Sequence, residues 1–213
     1  MIFKNTNVYL GLVLSALVLT TSCKDEEKEK EAMRAETERV EKEAAEKAVM
    51  EQKAKEEEMR KVAMENSIAY KAKATEDLST LVTAVEAAEL DAMLSEPGSY
   101  TVFAPSNNAF SKLPEGTLEN LTKPENKEML QGVLQYHVVP GTITSDRFAA
   151  AIKGANGAYK FKTVGGEELT AMMDGDQFVI KDSRGKKAHV VQGNVEASNG
   201  IVYVIDNVLM AKK

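Results

Sequence analysis

The sequence predicts an α+β fold carried behind a long charged segment. Three observations point there. Apolar residues recur near a 3.6-residue period at Leu78, Leu81, Val82, Val85 and Leu90. From Tyr159 onward, short alternating runs separated by Gly- and Asp-containing turns take over. Ahead of both, residues 24–66 hold 11 Lys/Arg and 15 Asp/Glu in 43 positions, with neither Gly nor Pro. Helices first and hairpins second is the order of an α+β domain, not of alternating βαβ units.

The 213 residues carry a net charge of −6, 1 Cys, 2 His and no Trp. An acidic chain without a basic stripe does not fit a nucleic-acid binder. One Cys forms no internal disulfide, and 2 His leave little room for metal or triad chemistry. No metal and no cofactor is expected. Neither a phosphate loop, a dinucleotide fingerprint nor a Gly-x-Ser-x-Gly elbow occurs, which disfavours an enzyme.

Residues 1–22 read as an export signal. Lys4 supplies the positive charge, and residues 8–19 are an apolar run too short to span a bilayer comfortably. Thr20-Thr21-Ser22-Cys23 then resembles a lipoprotein cleavage box, with Thr20 where Leu is usual. The resemblance implies that Cys23 becomes the first mature residue and carries lipid. Several acyl chains on one Cys anchor stably, where one chain is marginal. The alternative is an ordinary signal, or a short anchor, with an incidental Cys. Lys24 rather than Asp after the Cys favours the outer membrane, by resemblance to bacterial lipoproteins. The run Lys24-Asp25-Glu26-Glu27 resembles the surface-export tags of Bacteroidota lipoproteins.

Residues 23–66, the lipidated Cys and its tether, are rich in helix formers. Glu precedes Lys or Arg by four at Glu26–Lys30, Glu38–Lys42, Glu43–Lys47, Glu51–Lys55, Glu56–Arg60 and Glu57–Lys61. A coiled coil needs apolar a and d positions throughout. Met33 and Val40 lie seven apart, but Lys47, Ala54 and Lys61 follow in that register. A solvated single helix is the better reading, with a coiled coil or a disordered spacer as alternatives.

Residues 67–213 form the folded domain. The periodic apolar run after Leu78 opens it. Residues 100–103 are β-rich and stop at Pro105 and Asn107; Ala109-Phe110 begins a helical turn, and residues 116–121 another. Pro124 suits the first turn of a helix carrying Met129, Val133 and Leu134. His137-Val138-Val139 is extended, and Pro140-Gly141 ends it. Ser145 or Asp146 is placed to cap a helix through Phe148 and Ile152 that stops at Gly154. Residues 159–162, 169–172, 177–181 and 188–191 alternate as strands. Gly165-Gly166, Asp174-Gly175-Asp176 and Ser183-Arg184-Gly185 mark the turns between them. Residues 201–205 are almost wholly apolar, which predicts a central strand buried on both faces.

Three segments then match one family in order. Tyr100-Thr101-Val102-Phe103-Ala104-Pro105-Ser106-Asn107-Asn108-Ala109-Phe110 resembles the first signature of fasciclin domains, which are extracellular adhesion modules. Leu134-Gln135-Tyr136-His137-Val138-Val139-Pro140-Gly141 resembles their Tyr-His segment. The run from Asn194 through Gly200 to Asp206 resembles their second signature. The resemblance implies a compact wedge of two small β-sheets with packed helices. It puts Tyr136, His137, Asn194 and Val195 forward as candidate partner-binding residues. Animal members implicate an Asp-Ile pair in integrin contact; Asn194 and Val195 stand there instead, so the carboxylate of that mode is absent.

Plainer readings compete at each site. His137 suits a hydrogen-bonded structural ring, and Tyr136 a packed ring with a partnered hydroxyl. Asn107 and Asn199 suit turns fixed by side-chain-to-backbone bonds. Asp174-Gly175-Asp176 lacks the further spaced oxygens of a calcium loop. Lys181, Arg184, Lys186 and Lys187 cluster at a hairpin tip, where an anionic polysaccharide would also fit. The sequence therefore predicts a non-enzymatic adhesion or binding lipoprotein at the outer membrane. Its expected partners are the membrane, through Cys23, and an extracellular protein or polysaccharide. The competing reading is a periplasmic envelope-structure protein.

Overall fold

The computed structural model describes residues 25–212. The export signal and Cys23 lie outside the described residues. The boundary between the two compact units of the chain falls between Ala54 and Lys55.

The first unit is helical as far as it is described. Helix α1 (Asp25–Met64) runs 40 residues, about 60 Å at 1.5 Å per residue. Residues 30–54 are exposed without exception, so no apolar face buries against a core. Local terms sustain it: helix-forming side chains and bonds such as Thr37 Oγ1 to the Met33 carbonyl at 2.7 Å.

In the second unit α1 reaches its end and the chain turns into α2 (Ile68–Lys73), capped by Ser67, whose hydroxyl accepts from the Tyr70 N–H. Helices α3 (Ser79–Ala87) and α4 (Asp91–Ser95) follow, then strand β1 (Tyr100–Pro105). Two short helices, α5 (Asn107–Ser111) and α6 (Thr117–Leu121), lead to a 3-10 turn at Pro124 and to α7 (Lys127–Tyr136). Strand β2 (Val138–Pro140) and helix α8 (Ser145–Gly154) precede five strands: β3 (Ala158–Lys162), β4 (Glu168–Asp174), β5 (Gln177–Lys181), β6 (Lys187–Ala197) and β7 (Gly200–Ile205). Thr144 caps α8, its hydroxyl accepting from the Arg147 N–H at 3.4 Å. Neither Ser145 nor Asp146, the residues the sequence favoured, does so, because both already lie within the helix.

The strands lie in the order β2-β1-β7-β6-β5-β4-β3. Among the described residues only β1 and β7 pair in parallel. The two expected sheets are joined by β6. Its first residues pair with β5, and from Val190 on it pairs with β7, with register shifts on either side of Gln192. The outer edge of β2 is not left open. The Val164 N–H donates to the Val138 carbonyl at 2.7 Å, and Gly165 N to Gln135 O at 3.3 Å.

The apolar run at the C-terminus explains itself in this frame. All six residues of β7 are buried. Val202 and Val204 face a cluster with Ile68, Leu81, Val85, Leu94 and Leu134. Ile201, Tyr203 and Ile205 face the opposite cluster with Phe103, Phe148, Phe161 and Leu169. Gly200 sits at φ 153°, and a Cβ there would fall 1.9 Å from the Tyr100 carbonyl oxygen. Only glycine lets β1 and β7 start their pairing side by side.

Candidate functional site

His137 follows the last turn of α7, and its ring is wired at both nitrogens. Nδ1 lies 2.7 Å from the Val133 carbonyl, and Nε2 lies 3.0 Å from the Leu209 backbone N. A backbone N–H only donates, so Nε2 is the acceptor and Nδ1 carries the proton given to Val133. The ring is neutral. Burial pushes its pKa down to about 4, although the Val133 carbonyl and the Asp182 charge pull upward. Tyr136 beside it accepts from the Ser183 N–H at 3.0 Å and donates to the Glu168 carbonyl at 3.3 Å. The two side chains pin α7 to the C-terminal segment, to β4 and to the β5–β6 turn. At 1% and 3% exposure, Tyr136 and His137 offer a partner no surface. In this fold both rings hold neighbouring elements together from within.

Asn194 and Val195 belong to the bulged stretch of β6. Asn194 has φ 56°, a backbone region Asn tolerates better than most residues. Its Oδ1 accepts from the Ser145 N–H at 3.2 Å and lies 3.2 Å from the Tyr203 hydroxyl. It therefore fastens the bulge to the start of α8. Val195 is half-buried, pairs with Val202 and packs on the first cluster. The pair stands apart from Tyr136 and His137 in contacts, and the structure does not bring the four together.

Two polar anchors act over longer range than the sequence indicates. Asn199 is 2% exposed. Its Oδ1 accepts from the Ile68 N–H at 2.9 Å, and its Nδ2 donates to the Leu94 and Glu96 carbonyls at 2.8 and 3.0 Å. Asn107 accepts from Thr80 N at 2.9 Å and so caps α3, which has no side-chain cap of its own. Neither fixes a merely local turn; partners 27 to 131 residues away leave no local pattern to read. Asp182, 4% exposed, escaped the sequence reading altogether. It accepts from the Arg184, Lys186 and Met210 N–H groups at 3.0, 2.8 and 3.2 Å. Its signal was the Asp opening Asp-Ser-Arg-Gly, a side chain suited to bonding backbone two residues on.

Within the basic tip, Arg184 turns back on the fold. Its Nε donates to the Ala211 carbonyl at 2.7 Å. Lys181, Lys186 and Lys187 remain exposed. Asp174 and Gln177 pair across the β4–β5 turn, with Gly175 at φ 59° between them. Among the described residues no group of three or more His, Cys, Asp or Glu is placed to hold a metal ion.

A surface groove of about 350 Å³ lies over the Tyr136 end of α7. Leu121, Met129, Val133, Met210 and Ala211 give it an apolar floor; Thr117, Gln135, Glu167 and Arg184 border it. This open concavity combines apolar lining with polar groups, the combination expected of a binding site.

A seven-stranded mixed order with helices on its faces, stapled by a buried Tyr-His pair, defines the class of domain. The family model for the fasciclin domain matches residues 76–211. This chain belongs to the fasciclin family. Protein sll1483 of Synechocystis sp. is 45% identical over 146 residues, covering 68% of this chain and 73% of that protein. The cell surface glycolipoprotein MPB83 of Mycobacterium bovis is 36% identical over 113 residues, covering 53% of this chain and 44% of its own. Among solved structures, a FAS1 domain pair from the insect cell adhesion molecule Fasciclin I matches with a TM-score of 0.61 at 18% identity, over 68% of this chain and 51% of that one. The fold is the FAS1 fold. The three signature segments contain β1, β2 and β7, which are neighbours in the sheet, together with parts of α5, α7 and β6.

Proposed function

We propose that this protein is a non-enzymatic adhesion or binding lipoprotein, held at the outer membrane by lipid on Cys23 and displaying its fasciclin domain at the cell surface. The order of parts carries this reading: a Cys-terminated export segment, a 40-residue helix exposed throughout residues 30–54, then the family domain. Fully extended by its helix, the tether spans about 60 Å from its first described residue. Such a span clears a lipid surface and its headgroups. No helix among the described residues is long and apolar enough to cross a membrane. A relative whose name is cell surface glycolipoprotein supports the placement, and the cell adhesion molecule Fasciclin I supports the role.

The chemistry of the histidines supports a binding rather than a catalytic role. His137 has both nitrogens committed to backbone groups, so it is not available as a general base. His189 stands 3.5 Å from Asp206 Oδ2. Among the described residues neither ring is hydrogen-bonded to a Ser hydroxyl, as an activated nucleophile requires. Protease treatment of intact cells tests the placement. The domain is expected to be removed from intact cells; protection until the outer membrane is opened would instead support a periplasmic envelope-structure role.

A further inference from the structure

We propose that the groove over α7 docks an extended peptide segment of a partner protein, in which one apolar side chain is flanked by a basic and an acidic residue. The proposal rests on reading the domain as a contact module and adds the chemistry of the partner.

The floor supplies the apolar half of the match. Met129 is 49% exposed. Val133 and Met210 beside it are half-buried, and Leu121 is buried beneath. Thioethers adapt their shape to varied side chains. Gly132 opens the space further: a Cβ there would meet nothing within 4 Å. The helix backbone is thus bare where a ligand side chain would lie.

The rim supplies the polar half. The Glu167 carboxylate, the Gln135 amide and the Thr117 hydroxyl border the groove, and none has a hydrogen-bond or ionic partner among the described residues. Arg184 spends Nε on the Ala211 carbonyl and directs Nη1 at the Met210 sulfur, at 3.7 Å, but meets no carboxylate among the described residues. One unpaired anion and one unpaired cation select a ligand carrying both signs. A polyanion or polycation would repel one of them. The free amide and hydroxyl match peptide amides. A glycan is the poorer fit, because sugars stack on exposed aromatic faces, and Tyr136, the aromatic in the lining, is buried with its hydroxyl spent.

The test uses the full chain in detergent and an array of capped hexapeptides. The array holds basic–apolar–acidic peptides, the reversed order, all-basic, all-acidic and apolar-free sets. Peptides with both charges around Leu, Met or Phe are expected to bind, and one charge order to be preferred. Gly132→Leu fills the groove from a helical position that favours Leu over Gly. It is expected to weaken binding at least tenfold with an unchanged or higher melting temperature. Glu167→Arg combined with Arg184→Glu is expected to reverse the preferred order; a melting curve guards against loss of the Ala211 contact. Binding left intact in Gly132→Leu overturns the proposal. So does binding confined to a glycan array, or self-association that Gly132→Leu abolishes, which would make a second copy the occupant. Cells carrying Gly132→Leu separate this proposal from the one it rests on. If they adhere normally while protease still reaches the domain, the groove fails and the surface reading stands.

Discussion

His137 shows how one side chain can be chemically prominent and still be structural. Replacing it with Ala leaves a cavity, an unmet Leu209 N–H and an unmet Val133 carbonyl, a loss of about 1–3 kcal/mol. Its protonation adds a pH signature. The folded-state pKa of about 4 lies below the ordinary 6.5. Below 6.5 the unfolded chain takes up a proton that the folded chain refuses. Stability is therefore full above that value and falls as pH drops toward 4, by roughly 3 kcal/mol at 1.36 kcal/mol per pKa unit. Denaturant titrations across this window should show a steeper acid decline in the native protein than in His137→Ala. Equal slopes would mean that the ring is not buried neutral. Asn194 makes a complementary case. Asn194→Asp keeps the acceptor that meets Ser145 and Tyr203, so stability should hold within about 1 kcal/mol. Asn194→Val loses the acceptor and suffers at positive φ, and should cost about 1–3 kcal/mol. If the native partner binds elsewhere, Asn194→Asp leaves that binding unchanged.

Among the elements, α2 extends the folded domain beyond the family match. The match starts at residue 76, yet Ile68 is 1% exposed in the first core cluster and its N–H is held by Asn199. A fragment of residues 67–213 should unfold cooperatively. A fragment of residues 76–213 should be several kcal/mol less stable, because a buried Ile, a buried Ala and the Asn199 anchor are lost together. Equal melting of the two would show that α2 is dispensable. Residues 24–66 alone should lose helicity gradually on heating, since residues 30–54 bury nothing against a core and the Ser198 bonds to Ala63 and Asn66 are absent from the fragment. Strands β3 to β5 and β7 were legible in the sequence because alternation and Gly-bearing turns are local signals. The length of β6 was not: Gln192, Gly193 and Asn194 break its alternation at the bulges. Helix α2 carries too few residues to show a period. The groove was illegible for a different reason, since its floor joins α6, α7 and the C-terminal segment, and its character depends on Gly132 lacking a side chain.

At the scale of the whole molecule, the domain is built around the family's own signatures. These segments contain β2, β1 and β7, which lie in adjacent positions of the sheet. Specificity then belongs to what surrounds them, such as the groove rim. The lipid reading makes a separate expectation. Cys23→Ser should move the protein out of the membrane fraction, because no helix among the described residues is long and apolar enough to cross a membrane. Retention of the Ser variant would make the short apolar run the anchor. The central claim is display of the fasciclin domain on the outside of the cell, and protease shaving of intact cells tests it most directly. Loss of the domain from intact cells, with a periplasmic marker untouched, is the predicted result. A domain that survives until the outer membrane is permeabilised would contradict it.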